Sequence, residues 1–235
     1  MDNLQRLKIL QAIKDRHSVR KYKTVSLNSD LIGLLNTKIE ELNRLGNLNM
    51  QLITDEPKGF SGLFAYGKFS GVLNYVVVAG HKDDTFDERV GYYGEQLVLF
   101  AQMLGLNTCW AGLSYKKVPN TYVLEKGQKI SCYIALGYGE TQGKTHKIKK
   151  PEDVSNITES SPEWFKDGVI SALLAPTAIN QQKFRFELLE PQIKGEKAKV
   201  SAKGGFSIVG YTKIDLGIAK YHFEIGADPQ NFEWV

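Results

Sequence analysis

APTAINQQKFRF, residues 175–186, joins a proline turn, a small hydroxyl residue and an asparagine to alternating aromatics, the pattern of a loop opening onto a buried strand. The stretch it pairs with in character, RHSVRKY at residues 16–22, lies in the opposite part of the chain. Whether the two belong to one structural unit or to two decides the architecture.

The chain has 235 residues, 42% of them hydrophobic, enough to bury a sizeable core in one large domain or two small ones packed tightly. Thirty basic residues against 26 acidic ones give a formal charge of +4. Such an excess favours a small anionic ligand and does not imply nucleic acid, since no basic arm or interleaved aromatic stripe is present. The opening MDNLQRLKIL lacks the apolar run of a signal peptide, and the longest apolar stretch, YVVVAG at 75–80, is too short to span a bilayer. A cytoplasmic protein without membrane partners is the expectation. Cys109 and Cys132 sit in apolar stretches without CxxC spacing, and the four histidines are scattered, so no disulfide framework or metal site is signalled.

The spacing of Leu4, Leu7, Leu10 and Ile13 predicts a helix over 2–14. A second is expected over 28–46, capped by Asn28 or Ser29, with apolar residues at Leu31, Leu34, Leu35 and Ile39 and Gly46 as its stop. A glycine-rich loop at 55–71 precedes an apolar strand, VLNYVVVAG. A long helix over 87–106 and strands at 107–114 and 130–140 follow, the last running into the basic stretch KTHKIKKPEDV. After the polar linker SNITESSPEWF a new unit begins, with a helix at 163–174, the opening loop, a strand KFRFELL, a hairpin-like arm KAKVSAKGG and a helix at 211–227. Gly91, Leu97, Leu99 and Ala101 in one helix recur as Gly217, Phe223, Ile225 and Ala227 in another, offset by 126 residues. That is either an internal repeat or a common way of packing a helix closely on a sheet.

Arg16, Ser18 and Arg20 alternate directly after a helix, so in an extended turn they can face one side. Two guanidiniums and a hydroxyl form a phosphate cradle, because the planar fork of arginine gives bidentate, charge-assisted bonds. A solvated basic turn is the other reading, and Lys147, Lys149 and Lys150 before Pro151 carry the same pair of readings. No strand-GxGxxG-helix unit for a nicotinamide dinucleotide is found.

The order Arg16-x-Ser18-x-Arg20, the Gly91 to Ala101 helix, CWAG at 109–112, ALGYGE at 135–140 and the lysine run before Pro151 resembles the FMN-dependent nitroreductase family across residues 1–152. APTAINQQKFRF resembles the family's Ala-Pro-Ser-x-x-Asn-x-Gln-Pro-Trp loop, with Thr177 for serine and Lys183 and Phe184 for the usual proline and tryptophan. The resemblance implies an α+β fold, a nitroreductase-like αβα sandwich with a mixed, largely antiparallel sheet. In that family two subunits each carry both motifs and hold flavin where they meet. Here the loop is missing from 42–56 and the arginine turn is missing downstream. The expectation is therefore a duplicated chain, an intramolecular pseudo-dimer similar to the TM nitroreductase branch. Residues 1–155 would supply the phosphate side of the FMN site and a degenerate unit, 156–235, the opposing loop.

Carried over by that resemblance, Arg16 and Ser18 with Lys147 and Lys149 hold the FMN phosphate and ribityl chain. Arg20 reaches the pyrimidine edge, where a cation favours flavin reduction. His17 either contacts the cofactor or caps a helix. Pro176, Thr177 and Asn180 face the ribityl or pyrimidine side. Ala111, Gly112 and Leu113 place backbone groups near flavin N5, with Arg20 and Gly112 closest to the chemistry. The implied activity is NAD(P)H-dependent, ping-pong hydride transfer through N5 to nitroaromatics or quinones, with aromatics such as Phe64, Tyr66 and Phe69 either lining that space or packing the core. The alternative is a flavin carrier or sensor without turnover. Further self-association is left open.

Overall fold

Helices and strands follow one another much as the apolar periodicities anticipate. The computed structural model describes residues 1–62, 67–189 and 197–235. Its elements begin with α1 (Asn3–Asp15), α2 (Ser29–Gly46), β1 (Asn49–Ile53), β2 (Asn74–His81) and α3 (Phe86–Met103). Strands β3 (Asn107–Ala111) and β4 (Gln128–Gly137) and helices α4 (Pro151–Val154) and α5 (Glu163–Leu173) come next. Strands β5 (Phe184–Leu189) and β6 (Ala198–Gly204), helix α6 (Thr212–Ala227) and strand β7 (Phe232–Trp234) complete an α+β fold. No described helix is long and apolar enough to cross a membrane.

The chain divides into two compact units. Asp15–Thr145 forms one, around a sheet of order β1-β2-β4-β3 in which every neighbouring pair is antiparallel. Because side chains alternate across a strand, one face presents Tyr75, Val77, Cys109, Ala111, Tyr133 and Ala135, packed under Val19, Tyr22, Phe60 and Val72. Tyr133 lies stacked between Tyr75, at 5.0 Å, and Tyr115, at 4.0 Å between ring centres. The opposite face carries Trp110, whose ring lies so close to α3 that a Cβ at Gly94 would stand 2.4 Å from it.

Met1–Lys14 and His146–Val235 form the other unit. Here β5 pairs antiparallel with β6, and β7 adds to β6 in parallel. Phe165, Phe186, Phe223 and Phe232 are buried between this small sheet and the paired helices α5 and α6. Arg6 of α1 donates from Nε to Ile225 O (2.8 Å) and from Nη2 to Gly226 O (2.7 Å), placing a cation on the open carbonyls at the end of α6.

In α1 the buried residues are Ile9, Ala12 and Ile13, while Leu4 and Leu7 stay exposed. One local expectation is corrected. Gly46 does not stop α2: it is the last helical residue, packed against Tyr93, and Asn47 in the left-handed conformation (φ 48°) ends the helix by donating to Asn43 O.

Candidate functional site

In the first unit the Arg16–Tyr22 segment threads between three neighbours. Val19 N donates to Thr108 O (3.0 Å), Tyr22 N to Ser70 O (2.9 Å) and Lys23 N to Tyr138 O (2.8 Å), so the turn is stitched to β3 and to the ends of two loops. The fit depends on glycine. At Gly71, with φ +71°, a Cβ would lie 1.9 Å from Tyr22 O, and at Gly143, with φ +80°, one would lie 2.7 Å from His17 Cβ.

The three residues of the Arg-x-Ser-x-Arg pattern differ in exposure. Arg16 is only 2% exposed, Ser18 is half-buried and Arg20 is exposed. All three converge on the Cys109 thiol: burial pushes its pKa up, while the Arg20 charge, the Ser18 hydroxyl and the Arg16 charge oppose that shift. Burial likewise pulls the Arg16 guanidinium down from its ordinary value, with Glu95 acting against it. Glu95, in α3, is fully buried; its Oε1 is 3.6 Å from Arg16 Nε and its Oε2 accepts from Trp110 Nε1 at 2.9 Å. Arg16 Nε itself has no hydrogen-bond partner within reach.

Glu95 was absent from the sequence-derived set, although a signal existed. It shares the buried helical face of Gly91 and Val98, where a carboxylate needs a partner. Of the β3 group, Ala111 is buried opposite Tyr133, Gly112 is half-buried and Leu113 is exposed. Phe69 packs edge-on against Phe60 at 4.8 Å, and Phe64 and Tyr66 lie outside the described residues. An open cleft of about 660 Å³ is lined by Phe60, Phe69, Lys21, Lys68 and neighbouring residues, rather than by Arg16, Ser18 or Arg20.

In the second unit the structure brings Lys147 and Lys149 together with the 175–182 loop. Lys147 O accepts from Asn180 Nδ2 (2.7 Å) and Gln182 Nε2 (2.9 Å). Lys149 N donates to Gln182 Oε1 (2.9 Å), and its Nζ donates to Gln182 O (2.9 Å). Thr177 Oγ1 accepts from Gln182 N (3.0 Å), so its hydroxyl closes the turn. Pro176 is half-buried just ahead of it. Lys183, which stands where the resembled loop has proline, donates from Nζ to Phe206 O (2.8 Å), and Phe184 is buried at the start of β5.

A second buried carboxylate, also unforeseen, sits behind this loop. Asp215, in the first turn of α6, accepts from Ala178 N (2.9 Å) and Gln181 Nε2 (2.6 Å), and burial lifts its pKa to about 6. Gln181 Oε1 is buried beside it without a hydrogen-bond partner.

With this geometry in hand, comparison with known proteins is direct. A family model described as “Putative TM nitroreductase” matches residues 8–227. No curated protein sequence matches. Among solved structures, a “putative nitroreductase” of Thermotoga maritima is similar over 93% of this chain and 82% of its own, at 22% identity and a TM-score of 0.62. Another “putative nitroreductase”, from Desulfovibrio desulfuricans and solved in complex with FMN, is similar over 66% of this chain and 98% of its own, at 19% identity and a TM-score of 0.50. At these identities the two likenesses are of fold.

Proposed function

The chain belongs to the “Putative TM nitroreductase” family, and from that membership we propose that it is an FMN-containing oxidoreductase that takes reducing equivalents from NAD(P)H and passes them to nitroaromatics or quinones. The observation that carries this reading is the buried Arg16 Nε, which has no hydrogen-bond partner, at the head of a segment whose Ser18 and Val19 are bridged to Thr108 of β3. The residues suit the cofactor on chemical grounds. Arg16 Nε is a buried donor with no hydrogen-bond partner, which a phosphate or ribityl oxygen would satisfy, and Arg20 adds an exposed cation.

Ser18 and Arg16 would bind the phosphate, and Arg20 would lie at the pyrimidine edge, where its charge favours the reduced form. Ala111, Gly112 and Leu113 would offer main-chain groups within the same unit, and Lys147, Lys149, Pro176, Thr177 and Asn180 are the further residues that the family resemblance assigns to the cofactor. When bound, FMN would supply the two-electron chemistry, so no side chain is required as acid or base in that transfer. Duplication of the unit within one chain is part of the proposal. It is supported by the burial of both helical quartets, Gly91 with Leu97, Leu99 and Ala101, and Gly217 with Phe223, Ile225 and Ala227.

The test is the absorbance spectrum of the purified protein under anaerobic conditions, before and after NADH or NADPH. A flavin spectrum that one nicotinamide bleaches and a quinone restores is expected. A flavin spectrum that neither nicotinamide bleaches would make the protein a carrier or sensor, and failure to bind added FMN would overturn the reading altogether.

A further inference from the structure

We propose that Asp215 is a positioning residue that holds the Thr177–Gln182 loop in a strained, ligand-ready conformation; its functional meaning rests on the FMN reading above, its geometry does not. Three non-glycine residues in this loop have left-handed backbones: Ile179 (φ 48°), Asn180 (φ 58°) and Gln182 (φ 45°). Asparagine tolerates that region, and Gln182 is fixed by the bonds of its own amide to Lys147 and Lys149. Ile179 has neither excuse. Its β-branched side chain disfavours the conformation, and at 78% exposed it gains no packing in return.

A backbone held in such a state persists only where its surroundings over-determine it. Asp215 provides that restraint by gripping the residues on both sides of the strained pair, Ala178 through its amide and Gln181 through its side chain. The carboxylate is itself immobile, 2% exposed and anchored in the first turn of α6, where Asp215 N donates to Tyr211 O (2.8 Å). The result is a loop whose Ile179 is turned outward next to Thr177 and Asn180. An apolar side chain presented at a backbone cost is a contact surface for a flat, largely apolar ligand, which in this reading is the flavin ring or the substrate stacked on it.

The test is a double-mutant cycle of Asp215→Ala with Ile179→Gly, since glycine adopts the left-handed region without strain. Both FMN affinity, from flavin fluorescence quenching, and the thermal midpoint of the apoprotein are measured. Asp215→Ala is expected to weaken FMN binding about tenfold, and the loss should shrink severalfold in the Ile179→Gly background. Equal losses in both backgrounds, or no loss at all, would overturn the proposal. Should Asp215→Ala fail to fold, Asp215→Asn, which keeps an acceptor for Ala178 N, completes the cycle with a smaller effect of the same sign. If the wild type binds no FMN, the functional reading fails, while the cycle in thermal midpoint still decides whether Asp215 restrains Ile179.

Discussion

Arg16 carries its charge where charge is costly, and Glu95 makes that placement tolerable. Arg16→Ala should therefore destabilise the fold by about 3–5 kcal/mol, measured by urea denaturation, because it removes the cation beside a fully buried carboxylate. For the same reason, Ser18→Ala combined with Arg20→Ala is the cleaner probe of phosphate binding, with loss of FMN affinity expected and stability nearly preserved. Asp215 behaves differently. Its pKa, raised from 3.8 to about 6, means that the folded protein holds a proton more tightly than the unfolded chain. Its stabilising contribution is thus present below about pH 4 and is lost as pH rises through about 6. Compared with Asp215→Asn, the wild type should lose up to about 3 kcal/mol of stability between pH 4 and 7, read from paired denaturation curves. The Arg-x-Ser-x-Arg turn was legible through its spacing together with the order of the other motifs, since the spacing alone equally suits a solvated basic turn. Glu95 and Asp215 were not, because each acts through partners far away in sequence, Arg16 in one case and Ala178 with Gln181 in the other.

At the level of elements, the long helices and most of the strands were legible, and β1 and β7 were not. Asn28 was readable as a cap, and its side chain does accept from Leu31 N, so Asn28→Ala should cost about 1 kcal/mol of stability in thermal or chemical denaturation. By contrast, β1, NMQLI, is only five residues of mixed polarity directly after a helix, and it is defined by its pairing with β2 through all five of them. Strand β7, with three residues, is likewise defined only by its parallel pairing to β6. Leucine spacing announced α1 as a helix without giving its inward face: Ala12 is buried, and Leu4 and Leu7 remain outside. Close packing of α3 on β3 was only half visible, since a glycine in a helix does not say what approaches it. Gly94→Ala would put a methyl into the Trp110 ring and should cost about 1–3 kcal/mol, with a shift in tryptophan emission as its companion signal.

For the whole molecule, the decisive sequence feature is that each motif occurs once. The Arg16-x-Ser18-x-Arg20 turn falls in the unit Asp15–Thr145, and the Pro176–Asn180 loop falls in the unit containing His146–Val235. A chain with two complete copies of both would offer two flavin sites, and a chain with one unit would need a second chain to make any. Under the proposed function, one copy of each predicts a stoichiometry of one FMN per chain, whatever the number of chains in the assembly. Released flavin, quantified by absorbance against protein concentration after saturating the apoprotein with FMN, should give a ratio near one, and native mass should show whole numbers of chains each carrying one cofactor. A ratio near one half would mean that two chains build one site, which would overturn the duplicated-chain proposal even if the protein were an active reductase. A ratio near two would require a second phosphate site without the arginine turn. Ser18→Ala with Arg20→Ala separates these cases, because with a single site per chain it should remove all tight FMN binding, and with two it should leave half.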